Sequence, residues 1–447
     1  MSKFDVLFIG SGQGAWNGAI PMAQKGLNVA VIEEDKFGGV CSNRGCNAKI
    51  LLDRPFLLKH LTDGMVGRVF NNELTTNWPD LMKVKQEIIG QQDHNNRTKL
   101  EKNSVTVIKG HAEFKDNQTV VVAGVEYQAD KIVIAAGTRA HHLDIPGAEL
   151  FKTSDDFLDM PEMPNKITLI GGGLIAVELA SISAEAGADV TILVRGQQIL
   201  KDFYPNYVAR MADVLTKQGV KIIYGSTLEQ AEQTAQGIVL TANGEKLPAT
   251  DYVVDATGRT SNADHLGLEN TDVQVDGNGW IEVDEFLHTT VPNIYATGDV
   301  TNHHQPDITP VAAFESKYLG HVFTGEITEA IVYPYIPRVA FTIPRIAQFG
   351  TMPVGLVVDG VDEAGHQVKI LPSSGDWFKF LQNETEGEIT LVYGDDNLLI
   401  GAAAIGYEAE DEINGLLPYA QLKMDRQAMD QFVWLFPSLQ YMTSRNV

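Results

Sequence analysis

The chain contains only two cysteines, Cys41 and Cys46, and their spacing is the strongest chemical signal in the sequence. Four residues separate them, so a disulfide between them closes a small ring that can reopen with little backbone movement. Gly38 and Gly39 precede the pair, and the pattern predicts that the cysteines open a helix. The partial positive charge at a helix N-terminus lowers the pKa of a thiol. We therefore interpret the pair as a redox-active dithiol rather than as two unrelated buried cysteines.

The segment before the cysteines predicts a dinucleotide-binding fold. An apolar strand leads into Gly10, Gly12 and Ala15, which form a G-x-G-x-x-A pattern, and a second apolar strand ends at Glu33. The glycines permit a tight turn and the close approach of a pyrophosphate, and the alanine lets the helix pack on the strand. An acid about twenty residues after the first glycine suits a ribose hydroxyl.

A second nucleotide-binding pattern follows in the middle of the chain. Gly171, Gly173 and Ala176 repeat the G-x-G-x-x-A pattern, but the next strand runs into Arg195 instead of an acid, and Lys201 follows. Two cations at this place suit the 2′-phosphate of NADPH. The sequence therefore favours NADPH over NADH, which stays the alternative, and the two cations could also be solvated surface residues.

The arrangement of these patterns predicts an α/β fold with three domains, because 447 residues are too many for one hydrophobic core. Two Rossmann-like dinucleotide-binding domains are expected, one at residues 1–146 and 259–331 and one at residues 147–258. Residues 332–447 carry mixed strand and helix patterns without a glycine fingerprint, which indicates a C-terminal α+β domain.

Composition and charge restrict the cellular compartment and the binding partners that we expect for this protein. The formal net charge of −24 argues against nucleic acid and against anionic membrane surfaces. The sequence shows neither a signal-peptide pattern nor an apolar run of membrane-spanning length. Two cysteines without a secretion signal predict a cytoplasmic protein, where a disulfide is more often catalytic than structural.

The motifs together resemble the flavin-dependent pyridine nucleotide-disulfide oxidoreductases, such as glutathione reductase, dihydrolipoamide dehydrogenase and mercuric reductase. Beyond the cysteines and the two glycine patterns, they include Ala-Thr-Gly-Arg at residues 256–259 and Ile-Tyr-Ala-Thr-Gly-Asp at residues 294–299. The resemblance covers nearly the whole chain. It implies FAD in the first fold, a nicotinamide nucleotide in the second, and a homodimer, formed by the C-terminal domain, with the active site at the interface. Electrons would pass from NADPH through FAD and the Cys41–Cys46 disulfide to a small-molecule acceptor.

The resemblance also assigns roles to individual residues. It makes Cys46 the thiolate beside the flavin and Cys41 the thiol that meets the acceptor, with Lys49 and Glu178 as a pair near flavin N5. Asp299 would bind the ribityl chain, and the helix that begins near Thr309 would point at the flavin N1/O2 edge. No metal ligands are predicted. The predicted cofactor-binding residues are Gly10, Gly12, Ala15, Glu33, Gly137, Asp299, Thr309, Gly171, Gly173, Ala176, Arg195, Lys201 and Gly258.

The chain departs from the family near its C-terminus. Phe436 stands where disulfide reductases have an acid-base histidine, and Tyr441 stands at the glutamate that orients it. The loss of a general acid typically costs on the order of 10²–10⁴ in rate. Ile20 replaces an arginine that glutathione reductases use for glutathione, whereas Lys317 matches another such arginine. The C-terminal cysteine pair of mercuric reductases is absent from the sequence.

These departures leave the acceptor open. It is either a disulfide or other thiol-reducible compound with a good leaving group, or a non-disulfide oxidant such as a metal ion or a quinone. A redox-sensing flavoprotein is the alternative outside enzymes. We interpret Tyr441 as a packing residue, and the histidine pairs at residues 141–142 and 303–304 as solvated loop residues rather than metal ligands.

Overall fold

The computed structural model describes residues 2–303, 305–372, 377–382 and 384–444. Its helices are α1 (Gln13–Gln24), α2 (Gly39–Arg44), α3 (Cys46–Asp63), α4 (Trp78–Ile89), α5 (Gln92–Lys102), α6 (Ser154–Leu158), α7 (Leu174–Glu185), α8 (Pro205–Lys217), α9 (Thr309–Phe323), α10 (Ala409–Gln421), α11 (Arg426–Met429) and α12 (Leu439–Ser444). Its strands are β1 (Ser2–Ile9), β2 (Val29–Glu33), β3 (Thr106–Lys109), β4 (Ala112–Asp116), β5 (Thr119–Val122), β6 (Val125–Ile134), β7 (Thr138–Ala140), β8 (Lys166–Ile170), β9 (Asp189–Val194), β10 (Lys221–Tyr224), β11 (Leu228–Thr234), β12 (Gly237–Ala242), β13 (Glu245–Lys246), β14 (Tyr252–Asp255), β15 (Arg259–Ser261), β16 (Ile294–Ala296), β17 (Arg338–Ala340), β18 (Arg345–Gly350), β19 (Gln367–Pro372), β20 (Glu388–Tyr393) and β21 (Leu399–Gly406).

The chain forms two compact units, and the first contains residues 1–51, 83–141 and 259–332. Its main sheet has the strand order β3-β2-β1-β6-β5-β4, with β16 also paired to β6. The pairs β1–β2, β1–β6, β2–β3 and β6–β16 are parallel, and β4–β5 and β5–β6 are antiparallel. Every residue of β2 is buried, as expected for a parallel strand with both faces covered.

The hydrophobic core of this unit lies on both faces of its parallel strands. Val6 and Phe8 of β1 pack with α1 and α9 on one face, whereas Leu7 and Ile9 pack with β4, β5 and β16 on the other. This alternation follows from the two-residue period of a strand. The sheet therefore fixes the ends of β1, β2, β6 and β16, after which the predicted FAD residues come.

The second unit contains residues 52–82, 142–258 and 333–447. A parallel sheet of order β10-β9-β8-β14 and a small antiparallel sheet of β11, β12 and β13 form its first part. An antiparallel sheet of order β17-β18-β21-β20-β19, covered by α10, forms its second part. Ile413 and Leu416 of α10 are buried against Ala402 and Ala404 of β21.

The structure confirms the predicted fold class: two Rossmann-like parallel sheets precede a C-terminal α+β region. The predicted strand-turn-helix-strand order appears at both glycine patterns, as β1-α1-β2 and β8-α7-β9. The division into three domains with the stated boundaries stays a prediction. Among the residues that the structure describes, no helix is both long and apolar enough to cross a bilayer.

Candidate active site

The first glycine-rich turn has the geometry that a phosphate-binding loop needs. Gly10 has a φ of +101°, and a Cβ here would lie 2.3 Å from the carbonyl oxygen of Ala135, so only glycine fits. Gly12 is the N-cap of α1 and has no side chain to occupy the first-turn N–H groups. Ala15 is fully buried in the core beside β1. Because helix N-termini of this kind bind phosphate, the turn fits the pyrophosphate of FAD.

Glu33, at the end of β2, is held against the same turn. Its Oε2 accepts hydrogen bonds from the backbone N–H (3.0 Å) and the hydroxyl (2.6 Å) of Ser11, and its Oε1 accepts one from the N–H of Asp35 (2.8 Å). The Ser11 hydroxyl accepts a hydrogen bond from the N–H of Gly38 (2.9 Å), which begins the cysteine segment. A carboxylate has about four lone-pair sites. Glu33 therefore keeps acceptor capacity for ribose hydroxyls.

The two cysteines belong to the first unit and lie on consecutive helices. Cys41 belongs to α2, and Cys46 is the first residue of α3, which confirms the predicted helix start. Both are free thiols, and their side chains are hydrogen-bonded to each other. The Sγ atom of Cys46 also lies 3.4 Å from the Oγ1 atom of Thr309, the first residue of α9. The geometry fits a redox-active pair.

The two thiols have opposite pKa shifts. The hydrogen bond from Cys41 lowers the pKa of Cys46 to about 6 against the effect of burial, and Thr309 and the charge of Lys49 add to the lowering. The same hydrogen bond and burial raise the pKa of Cys41 far above its ordinary value. The reduced pair at neutral pH is therefore a Cys46 thiolate that accepts a hydrogen bond from the Cys41 thiol. A thiolate is the nucleophilic form of cysteine.

Asp299 follows β16 and faces Arg259. Burial raises the pKa of Asp299, and the guanidinium of Arg259 opposes that rise. The Arg259 side chain donates to the hydroxyl (2.6 Å) and the carbonyl (2.8 Å) of Thr138, which follows Gly137, whose φ is +64°. Burial and then the negative charge of Asp299 raise the pKa of a neighbouring carboxyl, Asp307, to about 6. A partly desolvated carboxylate such as Asp299 suits a ribityl hydroxyl.

The second glycine-rich turn repeats the geometry of the first. Gly171 has a φ of +128°, and a Cβ here would lie 2.4 Å from the carbonyl oxygen of Ala256. Gly173 is the N-cap of α7, and Ala176 is fully buried. The same physical argument therefore applies, and the turn fits a second dinucleotide.

The two cations predicted to bind the phosphate of NADPH lie in the segment that follows β9. Arg195 directly follows β9 and is exposed. Lys201, also exposed, follows Leu200, whose N–H donates to the carbonyl oxygen of Gly172 (2.7 Å). The chain after β9 thus folds back onto the glycine turn. Gly258, also exposed, lies in the loop after β14.

Lys49 and Glu178 belong to different compact units. Lys49 lies one turn into α3, where its charge adds to the lowering of the pKa of Cys46 and weakly opposes the rise in the pKa of Cys41. Glu178 is buried on α7, and its Oε1 accepts a hydrogen bond from the N–H of Phe341 (2.8 Å). The pairing of Lys49 with Glu178 stays a prediction.

The C-terminal segment carries aromatic rings where the family has its acid-base pair. The rings of Phe436 and Tyr441 meet edge to face with their centroids 5.0 Å apart. Phe436 is 68% exposed. This contact agrees with the interpretation of Tyr441 as a packing residue.

The solvated interpretation of His303 is wrong. Its side chain is only 4% exposed, and its Nε2 lies 3.4 Å from Oε1 of Glu315, whose other oxygen accepts a hydrogen bond from the N–H of Gly298 (2.6 Å). The physical reason is the buried carboxylate on α9, which no local pattern around the histidine indicates. His304 lies outside the described residues.

Sequence reasoning missed several residues of the site. Ser11 lies within the first glycine pattern and Arg259 within the Ala-Thr-Gly-Arg motif, but their contacts depend on which loop packs against each of them. Asp307 carries no pattern of its own. Arg345 stands within an apolar stretch of the sequence, and this was the one available signal. An arginine in such a stretch indicates a buried charge with a partner, because arginines are rarely buried without one.

Comparison with known proteins shows the family to which the chain belongs. Residues 4–316 match the family "Pyridine nucleotide-disulphide oxidoreductase". A glutathione reductase from Burkholderia cepacia is 31% identical over 99% of this chain and 98% of its own length. Two solved structures of the HOCl-induced flavoprotein disulfide reductase RclA from Escherichia coli, one of them a Cu(II) complex of a cysteine-to-serine mutant, have 25% identity and TM-scores of 0.88. They cover 99% and 100% of this chain and 99% of their own chains. The chain belongs to the pyridine nucleotide-disulfide oxidoreductase family, whose members are flavoproteins with a redox-active disulfide.

Proposed function

We propose that the protein is an NADPH-dependent FAD enzyme that reduces a small disulfide or other thiol-reducible acceptor through Cys41 and Cys46. The observation that carries the proposal is the hydrogen bond between the two thiols, with Cys46 also in contact with Thr309. Arg195 and Lys201 support NADPH as the donor, with NADH as the weaker alternative. We further propose a cytoplasmic homodimer with the active site at the interface, because the family implies the homodimer and the small number of cysteines suits a reducing compartment.

Two sets of residues would hold the cofactors. The turn at Gly10 and Gly12, with Glu33 and Asp299, would hold FAD, and the turn at Gly171 and Gly173 would hold the nicotinamide nucleotide. FAD, when bound, supplies two-electron transfer between the nicotinamide and the Cys41–Cys46 disulfide. The protein contributes the thiolate: Cys41, Thr309 and Lys49 keep Cys46 deprotonated at neutral pH.

The dithiol would then reduce a disulfide in two exchanges. Cys41 loses its proton to the Cys46 thiolate and attacks one sulfur of the acceptor, which releases a first thiolate that takes a proton from solvent. Cys46 passes its proton to the second leaving sulfur and attacks Cys41, which restores the Cys41–Cys46 disulfide. Because an apolar ring, Phe436, stands at the position of the general acid, the first leaving thiolate must depart without a proton donor. The enzyme should therefore prefer acceptors whose leaving thiols have a pKa well below the usual 8.5.

An anaerobic titration of the purified flavoprotein with NADPH tests the proposal. We expect a long-wavelength absorption band from the Cys46 thiolate and the flavin after two electrons, and its decay when a suitable acceptor is added. Absence of the band in a protein that contains FAD would contradict a working thiol pair. Very slow decay with every acceptor would favour a redox-sensing role instead.

A metal ion is the second candidate acceptor. Its support is the absence of a general acid at Phe436, which a metal ion does not require, and the Cu(II) complex of a relative of the same fold. Oxidation of the thiolate-thiol pair to the disulfide would reduce two Cu(II) to two Cu(I) and release one proton. Anaerobic mixing of the reduced enzyme with Cu(II), followed by a Cu(I) chelator, measures this reaction.

Serine variants separate thiol-mediated transfer from direct transfer. Cys41→Ser and Cys46→Ser should each abolish reduction of disulfides and of Cu(II) if the sulfur pair is the donor. Reduction of a quinone by the flavin itself should survive in both variants, which makes it the internal control for a loaded, folded enzyme. Unchanged disulfide reduction in either variant would overturn the proposal.

A further inference from the structure

Among the described residues, Arg345 is one of the largest fully buried side chains, with 1% of its side chain exposed. Its Nη2 atom lies 2.5 Å from Oδ2 of Asp53, and its Nε atom lies 2.8 Å from Oε1 of Glu410. Its Nη1 atom donates to the carbonyl oxygen of Thr342 (3.2 Å), and its guanidinium covers the ring of Phe341 at 5.3 Å. All of these residues belong to the second compact unit. Arg345 thus joins three segments of that unit.

The first of these segments is the redox helix itself. Asp53 lies on α3, four residues after Lys49 and seven after Cys46, the first residue of the helix. Residues four and seven apart lie on nearly the same face of an α-helix. The hydrogen bond from Arg345 to Asp53 therefore restrains both the rotation and the axial position of α3, the helix that begins with Cys46 and contains Lys49.

The second segment, at residues 341–342, is hydrogen-bonded to Glu178 of α7. The backbone N–H of Phe341 donates to Oε1 of Glu178 (2.8 Å), while the Phe341 ring lies under the Arg345 guanidinium. Glu178 is only 4% exposed, and this N–H satisfies one oxygen of its buried carboxylate. The guanidinium that fixes the redox helix therefore also fixes the support of Glu178.

We propose that Arg345 is a positioning residue for the thiol chemistry. Its contacts hold α3 and the segment of residues 341–342 in a fixed arrangement. The inference rests on the proposed function of Cys41 and Cys46. A buried ionic cluster is weak evidence for stability, because desolvation offsets most of the attraction between its charges. Geometry is the property that a planar guanidinium with N–H donors at fixed angles supplies and that a lysine or an apolar side chain does not.

The test compares three variants with the wild-type holoprotein. Arg345→Met leaves the buried carboxylate of Asp53 and the half-buried carboxylate of Glu410 beside an apolar side chain, so it is expected to destabilise the fold. The triple variant R345M/D53N/E410Q removes those charges together with the guanidinium. Arg338→Met, on the neighbouring strand β17, removes a half-buried arginine that lies 3.9 Å from Asp202 and serves as the matched control.

Two readouts are measured for each variant: the unfolding midpoint, and the pH at which the thiolate–flavin band of the two-electron-reduced protein is half developed. The rate of alkylation of the reduced thiols against pH gives the second readout independently of the flavin. We expect the triple variant to unfold near the wild-type midpoint but to titrate about one pH unit higher, which is a tenfold lower ratio of thiolate to thiol at fixed pH. Arg338→Met should change neither readout.

Two other outcomes would overturn the inference, and a third would contradict the proposed function. A triple variant with the wild-type titration shows that Arg345 only balances charge, and overturns the inference. A triple variant that does not fold makes Arg345 a requirement of folding, which also overturns it. A wild-type protein that shows neither the band nor a lowered thiol pKa contradicts the proposed function instead, so the two failures are distinguishable.

Discussion

The Sγ atom of Cys46 lies 3.4 Å from the Oγ1 atom of Thr309. Cys46 is the first residue of α3, and Thr309 is the first residue of α9, so the N-termini of two helices meet at one sulfur. Each helix N-terminus carries a partial positive charge. Together with the hydrogen bond from Cys41, which lowers the pKa of Cys46 most, this arrangement explains why Cys46 and not Cys41 becomes the thiolate.

Thr309→Val should weaken the thiolate. Valine keeps the shape of threonine but cannot donate a hydrogen bond, and a hydrogen bond to a charged group contributes about 1.5–3 kcal/mol. We expect the pKa of Cys46 to rise by about one unit. The thiolate–flavin absorbance of the reduced protein against pH measures the change. Thr309→Ser keeps the hydroxyl and is the control; an equal shift in both variants would show that the methyl group matters and the hydrogen bond does not.

The wild-type protein should lose its thiolate in mild acid. Because the pKa of Cys46 is lowered to about 6, chiefly by the hydrogen bond from Cys41, the thiolate is present above that pH and protonated below it. Since the ordinary pKa of a thiol is about 8.5, the thiolate also stabilises the reduced fold, fully above the ordinary value and less as the pH falls through 6. Stopped-flow alkylation of the reduced pair between about pH 4 and 9 measures this profile. A midpoint near the ordinary value would contradict the shift.

The local part of the site could be predicted from sequence. The turns at Gly10 and Gly171 require glycine for reasons that lie within a few residues of chain, namely a positive φ and a carbonyl oxygen less than 2.5 Å from any added Cβ. The short, nearly continuous apolar runs likewise predict the strands that flank them. Spacing alone therefore indicated the nucleotide folds and the cysteine pair.

The contacts between distant segments could not be predicted. Thr309 reaches Cys46 across 263 residues of chain, and Arg345 reaches Asp53 across 292. Neither contact leaves a local periodicity, because each depends on how sheets and helices pack. His303 was misinterpreted for the same reason: its partner Glu315 lies on a helix that the histidine's own loop does not include.

Removal of the cations at the second nucleotide site should change the choice of donor. In Arg195→Ala and Lys201→Ala, a phosphate contact is lost, and we expect the KM for NADPH to rise on the order of tenfold in each variant. The KM for NADH should stay unchanged, because NADH has no 2′-phosphate, and this comparison is the internal control. Steady-state kinetics with both nucleotides measures the effect. Equal changes for NADPH and NADH would place the two residues elsewhere than at the phosphate.

Restoring a histidine at position 436 tests whether its loss limits the choice of acceptor. Phe436→His combined with Tyr441→Glu rebuilds the acid-base pair of the family, which should speed the release of a leaving thiolate of ordinary pKa. We expect turnover of a dialkyl disulfide to rise on the order of 10²-fold or more, and turnover of an acceptor with an acidic leaving thiol to change little, because that thiolate needs no proton. Phe436→Leu, which keeps the position apolar, is the control. No selective gain for the dialkyl disulfide would mean that the exposed ring of Phe436 does not stand at the place of proton transfer.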